Sequence, residues 1–129
     1  MDWHESLSTG VELIDSQHRS LIDGVNEVRR TGARGGVLKS AMAMDALRMY
    51  VTVHFSTEED LLRQHGFPDL DAHIAEHREF VLRLDALLEE NLRHDNSDAI
   101  VAFFETWLTN HLCQSDMVYV PYLKVMPPA

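Results

Sequence analysis

The chain has 129 residues, of which 45% are hydrophobic, and its 21 acidic and 11 basic side chains give a formal net charge of −10. This length suits one domain with one hydrophobic core, and an acidic balance without a basic cluster argues against nucleic-acid binding. The single cysteine excludes an intrachain disulfide and fits a reducing compartment. Eight histidines are the unusual count, and they need an explanation.

Two helices are predicted in the first half of the chain, where apolar residues recur at steps of three and four. The first helix runs from about Glu12 to Arg30, and the segment 31–36, which contains three glycines, ends it. The second helix runs from about Val37 to His65. Gly66 and Pro68 close it, because a glycine followed by a proline is typical of a helix C-terminus.

Two more helices are predicted in the second half. The third runs from about Asp69 to Arg93 and breaks at residues 94–96. Ser97 is a candidate N-cap for the fourth helix, and the apolar pattern of this helix ends before Pro121. No stretch alternates apolar and polar residues long enough to predict a strand. Helices of roughly 20 to 30 residues joined by short loops pack antiparallel, so the sequence predicts an all-α, up-down-up-down antiparallel four-helix bundle.

Signals for export or membrane insertion are not evident in the sequence. No apolar run approaches the roughly 20 residues that a helix needs to span a bilayer. The first residues, Met1 to Glu5, contain neither a basic nor an apolar segment, so we expect no signal peptide. We therefore expect a cytoplasmic protein with a single domain over residues 1–129.

Five histidines and one glutamate occupy the apolar stripes of the predicted helices rather than their polar faces: His18, His54, Glu58, His73, His77 and His111. A single histidine on an apolar face is usually a core residue bonded to a backbone carbonyl. Burying several imidazoles and a carboxylate without partners would cost on the order of several kcal/mol each. A metal site would supply the missing partner for all of them at once.

The spacing of these residues supports a shared site. His54 and Glu58 are four residues apart, as are His73 and His77, so each pair projects from one helix face on successive turns. Counted from the turn that joins the second and third helices, both pairs lie at similar depths in the bundle. The same count around the other two loops brings the remaining two histidines to a comparable depth. The six side chains are therefore expected to converge.

Asp116 is the candidate for a second carboxylate, but it lies five residues after His111. In a regular α-helix that spacing turns the two side chains about 140° apart. A π-type bulge between them, or the end of the regular helix, would bring them together. The alternative is that Asp116 is a surface acid.

These residues together resemble the hemerythrin family, and within it the single-domain bacterial hemerythrins. The matching motifs are His54-Phe55-x-x-Glu58, His73-x-x-x-His77 and Trp107-Leu108-x-x-His111-x-x-x-x-Asp116, preceded by Gly10-Val11 and Asp15-x-x-His18. The resemblance covers nearly the whole chain. It includes seven expected metal ligands in order: His18, His54, Glu58, His73, His77, His111 and Asp116.

The resemblance implies a centre of two non-haem iron ions in the core of the bundle. Seven protein ligands are too many for one tetrahedral zinc, which takes four. By resemblance, an oxo or hydroxo group, Glu58 and Asp116 bridge the irons, and His18 and His54 leave one iron five-coordinate. The other iron takes the remaining three histidines. The family function would be reversible dioxygen binding for transport, storage or delivery, with oxygen held as hydroperoxide at the five-coordinate iron.

Several residues near these motifs have secondary roles. In the hemerythrin family, a leucine at the position of Leu108, three residues before His111, covers the oxygen pocket and would slow oxidation of the irons; ordinary core packing is the alternative. Trp107 is expected in the core or against a ligand, and Cys113 is expected to be a structural or weakly redox-active thiol. The histidines that match no ligand are expected at the surface or in caps: His4, His65 and His94.

Other functions remain open for the same residues. His73-x-x-Glu76-His77 also matches the inverzincin pattern, in which Glu76 would be the general base of a zinc protease, but this leaves the other candidate ligands unexplained. A di-iron site could equally serve a sensor of oxygen, nitric oxide or redox state, or a peroxidase, oxidase or nitric oxide reductase. The absence of a transducer domain favours a carrier over a sensor, and the lack of an unassigned acid/base pair in the core argues against an enzyme, so we expect an oxygen-binding protein and no enzyme. Expected partners are dioxygen and either an oxygen-consuming enzyme or a signalling protein, with the chain a monomer.

Overall fold

The structure, a computed structural model, describes residues 1–33 and 37–125. A short 3-10 helix (Glu5–Leu7) precedes the long helices α1 (Glu12–Ala33), α2 (Val37–Gln64), α3 (Leu70–Asn91) and α4 (Ser97–Asn110). A π-helical turn (His111–Ser115) then continues α4 into α5 (Asp116–Val125). Both α1 and α3 pack against α2 and α4, which closes a ring of four neighbours. The predicted all-α four-helix bundle is confirmed, and no strand occurs in these two ranges.

The turn after α2 forms as the sequence predicts. Gly66 has a φ of 68°, a left-handed conformation that glycine adopts without strain because it has no Cβ. The backbone N–H of Gly66 donates to the carbonyl of Arg63, and that of Phe67 donates to the carbonyl of Leu62. These bonds satisfy carbonyls that the end of a helix leaves free. The turn therefore fixes the level at which α3 begins beside α2.

Three predictions about helix ends are wrong. Ser97 is the first residue of α4 and Asn96 is its N-cap, because the carbonyl of Asn96 accepts the first hydrogen bond of the helix, from the backbone N–H of Ile100 (3.1 Å). The first helix continues through Gly32 to Ala33; the rest of the predicted glycine break, residues 34–36, lies outside the described residues. The last helix does not fade before Pro121, since α5 contains it.

The helix around Pro121 is held by burial on either side of the proline. Pro121 itself is exposed, whereas Tyr119 and Leu123 are buried. A proline inside a helix costs about 3 kcal/mol through one lost hydrogen bond and a steric clash. Burying a large side chain gains about 1.5–3 kcal/mol, so the two buried neighbours offset the cost of the proline. The apolar periodicity of the sequence does not show this compensation.

Two apolar clusters fill the interior. The large core includes Leu21, Leu47, Val51, Phe80, Leu84, Phe104 and Leu108, and the small core consists of Ile14, Leu62, Phe67, Tyr119 and Leu123. On α1, α2 and α3 the buried histidines lie between residues of the large core and residues of the small core. A layer of buried polar side chains therefore separates the two cores. No helix in the described part of the chain is long and apolar enough to cross a membrane.

Asp15 holds the segment that precedes α1. Its carboxylate accepts hydrogen bonds from the Ser8 hydroxyl (2.6 Å), the Thr9 hydroxyl (2.8 Å) and the Thr9 backbone N–H (2.8 Å). Burial raises the pKa of Asp15, but these donors, together with the backbone of Gly10, outweigh it and hold the pKa below its ordinary value. The charged form of Asp15 therefore stabilises the folded protein.

We expect Asp15→Asn to destabilise the protein by about 1–3 kcal/mol at neutral pH, because a buried set of donors loses its charged acceptor. A folded-state pKa below the unfolded value of about 3.9 means that this stability is present above pH 4 and is lost as the pH falls through the folded-state pKa. Urea unfolding from pH 7 to pH 3 checks this, with Asp23→Asn on the exposed face of α1 as control. A difference from the unsubstituted protein that stays constant down to pH 3 would contradict the explanation.

Candidate metal centre

The structure brings the seven predicted ligand residues together in the polar layer between the two cores. None of their side chains is more than 4% exposed. One side chain comes from α1, two from α2, two from α3, one from the π-helical turn and one from the start of α5, in the order His18, His54, Glu58, His73, His77, His111 and Asp116. Three helices of the ring and the continuation of α4 therefore contribute to a single site.

The π-helical turn reconciles the five-residue spacing between His111 and Asp116. The backbone N–H of Asp116 bonds to the carbonyl of His111, an i→i+5 bond that fits one additional residue into the turn. Asp116 thus returns to the helix face of His111, and its Oδ1 lies 2.9 Å from Nε2 of His111. The π-type alternative is confirmed. The surface-acid alternative is wrong, because Asp116 is fully buried.

Three histidines gather around one oxygen of Glu58, and we call them the three-histidine cluster: His73, His77 and His111. The Oε1 atom of Glu58 lies 2.6 Å from Nε2 of His73, 3.0 Å from Nε2 of His77 and 3.9 Å from Nε2 of His111. These four residues form one group whose ligand atoms are close enough to hold a single metal ion.

Two histidines gather around the other oxygen of Glu58, and we call His18 and His54 the two-histidine cluster. The Oε2 atom of Glu58 lies 3.4 Å from Nε2 of His54 and 3.7 Å from Nε2 of His18. With Glu58, these histidines form a second group that could hold a metal ion. The same carboxylate thus belongs to both groups, one oxygen to each.

Asp116 divides its oxygens in the same way. Oδ1 lies 2.9 Å from Nε2 of His111 and 3.3 Å from Nε2 of His73, whereas Oδ2 lies 3.1 Å from Nε2 of His18. Glu58 and Asp116 each turn one oxygen toward the three-histidine cluster and the other toward the two-histidine cluster. Carboxylates that bridge two metal ions have this arrangement. The layer therefore contains two groups of residues that could hold metal, with three histidines on one side and two on the other.

Several ligand atoms in this layer are buried without a hydrogen bond in the described part of the chain. They are Nε2 of His18, His77 and His111 and both carboxylate oxygens of Asp116. Some of these atoms are close neighbours, but their geometry is not that of hydrogen bonds. Buried polar atoms rarely lack partners. A metal pair would satisfy these atoms, so the residues present fit such a group.

Without metal, the carboxylates of the layer favour the protonated form of three of its histidines. Burial alone lowers a histidine pKa, but here Asp116 and Glu58 outweigh burial and raise the pKa of His18 and His73 to about 9 and that of His111 to about 10. The pKa of His54 is lowered, because for this ring burial prevails. The metal-free site therefore carries protons that a metal ion must displace.

The outward-facing nitrogens of three ligand histidines have partners that sequence reasoning missed. Nδ1 of His54 donates to the amide oxygen of Gln17 (2.8 Å), Nδ1 of His77 to the carboxylate of Glu59 (2.7 Å) and Nδ1 of His111 to the carboxylate of Glu76 (3.0 Å). These bonds leave Nε2 of each ring free to face the metal site. The sequence position of these partners could have identified them, because each is adjacent to a ligand residue: Gln17 to His18, Glu59 to Glu58 and Glu76 to His77.

Tyr119 was also missed. It is fully buried, and its hydroxyl donates to Oε2 of Glu58 (2.9 Å). Burial and the adjacent negative charge of Glu58 raise the pKa of Tyr119 well above its ordinary value. The hydroxyl therefore holds its proton and orients the oxygen of Glu58 that faces the two-histidine cluster.

Aromatic rings pack against two of the ligands. Phe55 stacks on His77 with ring centroids 3.8 Å apart, and Trp107 stacks on His111 at 4.1 Å, which confirms the expected contact of Trp107 with a ligand. Leu108 is buried in the large core, which fits both interpretations of that residue. Together these side chains place an apolar wall beside the polar layer.

The remaining predictions concern residues outside the cluster. Glu76 hydrogen-bonds to the outer side of His111 and is half-exposed, a position that does not suit the general base of a zinc protease. His94 is exposed and pairs with Glu90, His65 bonds to the carbonyl of Leu61 near the end of α2, and His4 is the exposed N-cap of the first short helix. The side chain of Cys113 lies outside the described residues.

Comparisons with known proteins point in the same direction as the geometry. A family model described as the hemerythrin HHE cation binding domain matches residues 9–123. The bacteriohemerythrin of Methylococcus capsulatus is 33% identical over 128 residues, covering 96% of this chain and 97% of that protein. A hemerythrin-like protein of Naegleria gruberi is 32% identical, covering 92% and 89%. A crystal structure of wild-type hemerythrin aligns with a TM-score of 0.89 at 32% identity, covering 97% and 98%.

Proposed function

This chain belongs to the hemerythrin family, and on that premise we propose that it binds dioxygen reversibly at a non-haem di-iron centre, as an oxygen carrier or store. The observation that carries the proposal is the division of two buried carboxylates, Glu58 and Asp116, between a three-histidine and a two-histidine cluster. The relatives named bacteriohemerythrin support it, since they cover almost the whole chain.

In the proposed centre, Glu58 and Asp116 would hold both irons, because each carboxylate turns one oxygen toward each histidine cluster. His73, His77 and His111 would hold one iron, while His18 and His54 would hold the other. When bound, the pair supplies the two electrons that reversible dioxygen binding requires. The two-histidine cluster would supply one protein ligand fewer than the three-histidine cluster, which would leave room for a small molecule on that side.

The protein residues around the site favour binding over turnover. Five imidazoles contribute no negative charge, so the donor set is less anionic than the glutamate-rich sets of ferritin-like di-iron proteins. A catalyst would also need a group that moves protons, and Tyr119 is a poor proton donor because burial raises its pKa. Phe55, Trp107 and Leu108 exclude water on the side of the large core.

The proposal is tested by reconstituting the protein with ferrous iron under anaerobic conditions. We expect two irons per chain and a visible absorption band that appears with dioxygen and disappears when dioxygen is removed, over many cycles. One zinc per chain with peptidase activity would overturn the proposal. Rapid, permanent bleaching to diferric iron would exclude a carrier, and a partner protein captured in only one oxygenation state would favour a sensor.

Leu108→Ala is expected to increase the rate at which the oxygenated form oxidises at least several-fold, because opening the apolar wall admits water and anions. The substitution also costs about 2–5 kcal/mol of stability through the cavity it leaves. Leu84→Ala is the matched control, since Leu84 is buried in the same core about two turns beyond His77. Stopped-flow and absorption decay measure the rate. Equal rates in both variants would assign Leu108 to packing alone.

A further inference from the structure

The two histidine clusters differ in the hydrogen-bond partners of their Nδ1 atoms. In the three-histidine cluster, His77 and His111 donate from Nδ1 to the carboxylates of Glu59 (2.7 Å) and Glu76 (3.0 Å). In the two-histidine cluster, His54 donates to the neutral amide of Gln17 (2.8 Å), and Nδ1 of His18 is buried with no hydrogen-bond partner among the described residues. Among the described residues, a carboxylate therefore accepts the Nδ1 proton of a ligand histidine in one cluster only.

We propose that Glu59 and Glu76 are positioning residues that make the three-histidine cluster the tighter metal site, so that metal enters there first and leaves there last. This order of loading extends the proposed function to the two halves of the centre. It rests on that function only for the identity of the metal, because any divalent ion that histidine binds would be held more tightly by the same cluster.

The physical basis is the polarity of the imidazole ring. A carboxylate that accepts the Nδ1 proton fixes the tautomer with its lone pair at Nε2 and makes that nitrogen a stronger donor to a cation. A neutral amide fixes the tautomer but adds no charge. Two rings of the three-histidine cluster have the stronger arrangement, and neither ring of the two-histidine cluster has it.

The position of the two glutamates leaves their carboxylates partly exposed to water. The side chain of Glu59 is 23% exposed and that of Glu76 is 49% exposed, while the rings they contact are buried. Each carboxylate thus keeps contact with water and avoids most of the cost of burying a charge. The carboxylate influences the Nε2 atom across a buried ring. The protein interior screens this interaction less than bulk water would.

A purely structural role is the competing explanation, because both contacts also join helices. Glu59 on α2 meets His77 on α3, and Glu76 on α3 meets His111 at the start of the π-helical turn. Glutamine at either position keeps an oxygen that can accept the Nδ1 proton but removes the charge. The Glu→Gln substitutions therefore separate charge from helix packing.

The test is a titration of the metal-free protein with Co²⁺ in competition with a chelator, followed by the visible band of the bound ion. The unsubstituted protein should bind two ions in two steps of different affinity. We expect Glu59→Gln and Glu76→Gln each to weaken the first step about 10-fold or more and to leave the second nearly unchanged. Gln17→Glu should strengthen the second step.

Matched controls remove the same charge without touching a ring. Asp60→Asn lies next to Glu59, and Glu79→Gln lies three residues after Glu76; their carboxylates contact the exposed arginines Arg63 and Arg83 instead. Neither control should change the first step by more than about 2-fold. A control effect as large as that of the glutamines would mean that net charge, not position, is responsible, and would overturn the proposal.

Three other results would also overturn it: two steps of equal affinity in the unsubstituted protein, equal weakening of both steps in the glutamine variants, or unchanged steps accompanied by lower thermal stability of the metal-free variants. The last result would assign the glutamates to helix packing. Failure to bind dioxygen, with the Co²⁺ steps as expected, would reject the proposed function and leave this inference standing.

Discussion

Glu58→Gln is expected to remove the capacity to bind two metal ions and, with it, the oxygen-dependent absorption band. Glu58 presents one oxygen to each histidine cluster, so its replacement weakens both halves of the site. Structural zinc sites with four ligands are worth about 10–16 kcal/mol, which is roughly 3 kcal/mol per ligand and more than about 100-fold in affinity. A neutral amide also offers only one oxygen, so it cannot replace a bridging carboxylate.

The measurement for Glu58→Gln is metal content after gel filtration, together with absorption under dioxygen. Asp60→Asn is the control, because Asp60 lies half a turn away, is exposed, and pairs with Arg63. Circular dichroism of the metal-free variant separates loss of ligands from loss of fold. Retention of two tightly bound ions by Glu58→Gln would refute the bridging role.

Removing the metal should lower stability by about 4 kcal/mol when free metal stands near 1,000 times its dissociation constant. For a chain of this length, that corresponds to a fall in the thermal midpoint of roughly 10–20 °C. The cause lies in the polar layer, where metal-free Nε2 atoms of His18, His77 and His111 lack hydrogen bonds. Thermal unfolding of the metal-loaded and chelator-treated protein measures the difference.

The difference should widen as the pH rises from 7 to 10. In the metal-free protein, carboxylates raise the pKa of His18 and His73 to about 9 and that of His111 to about 10. The stability from these protonated rings is fully present below the unfolded-state pKa of about 6.5 and is lost as the pH rises through 9 to 10. Metal binding instead strengthens as protons leave. Parallel decline of both forms between pH 7 and 10 would contradict this account.

Most of the fold and the composition of the candidate site could be predicted from the chain because helix geometry is local. Residues three or four positions apart lie on the same face of a helix. His54 and Glu58 therefore share a face of α2, and His73 and His77 share a face of α3. Gly66 with Pro68 marked the turn that brings these pairs to similar depths. None of this depends on how the helices rotate about their own axes.

Some local rules were overridden by distant contacts. Pro121 suggested the end of a helix, yet burial of Tyr119 and Leu123 in the small core keeps α5 helical on both sides of it. The five-residue spacing before Asp116 left a choice between a π-helical turn and a helix end. That choice depends on what the aspartate meets in the interior, which is His18 of α1 as well as His111.

The eight histidines in a chain with a net charge of −10 already indicated a buried polar centre, and the sequence by itself determined which residues could reach it. Only the tertiary structure decided how the oxygens of Glu58 and Asp116 divide between the two clusters and which group stands behind each imidazole. Those features depend on the rotation and separation of neighbouring helices over a few ångströms. The periodicity of one helix shows which residues share a face of that helix. It does not show which residues of the neighbouring helices contact that face.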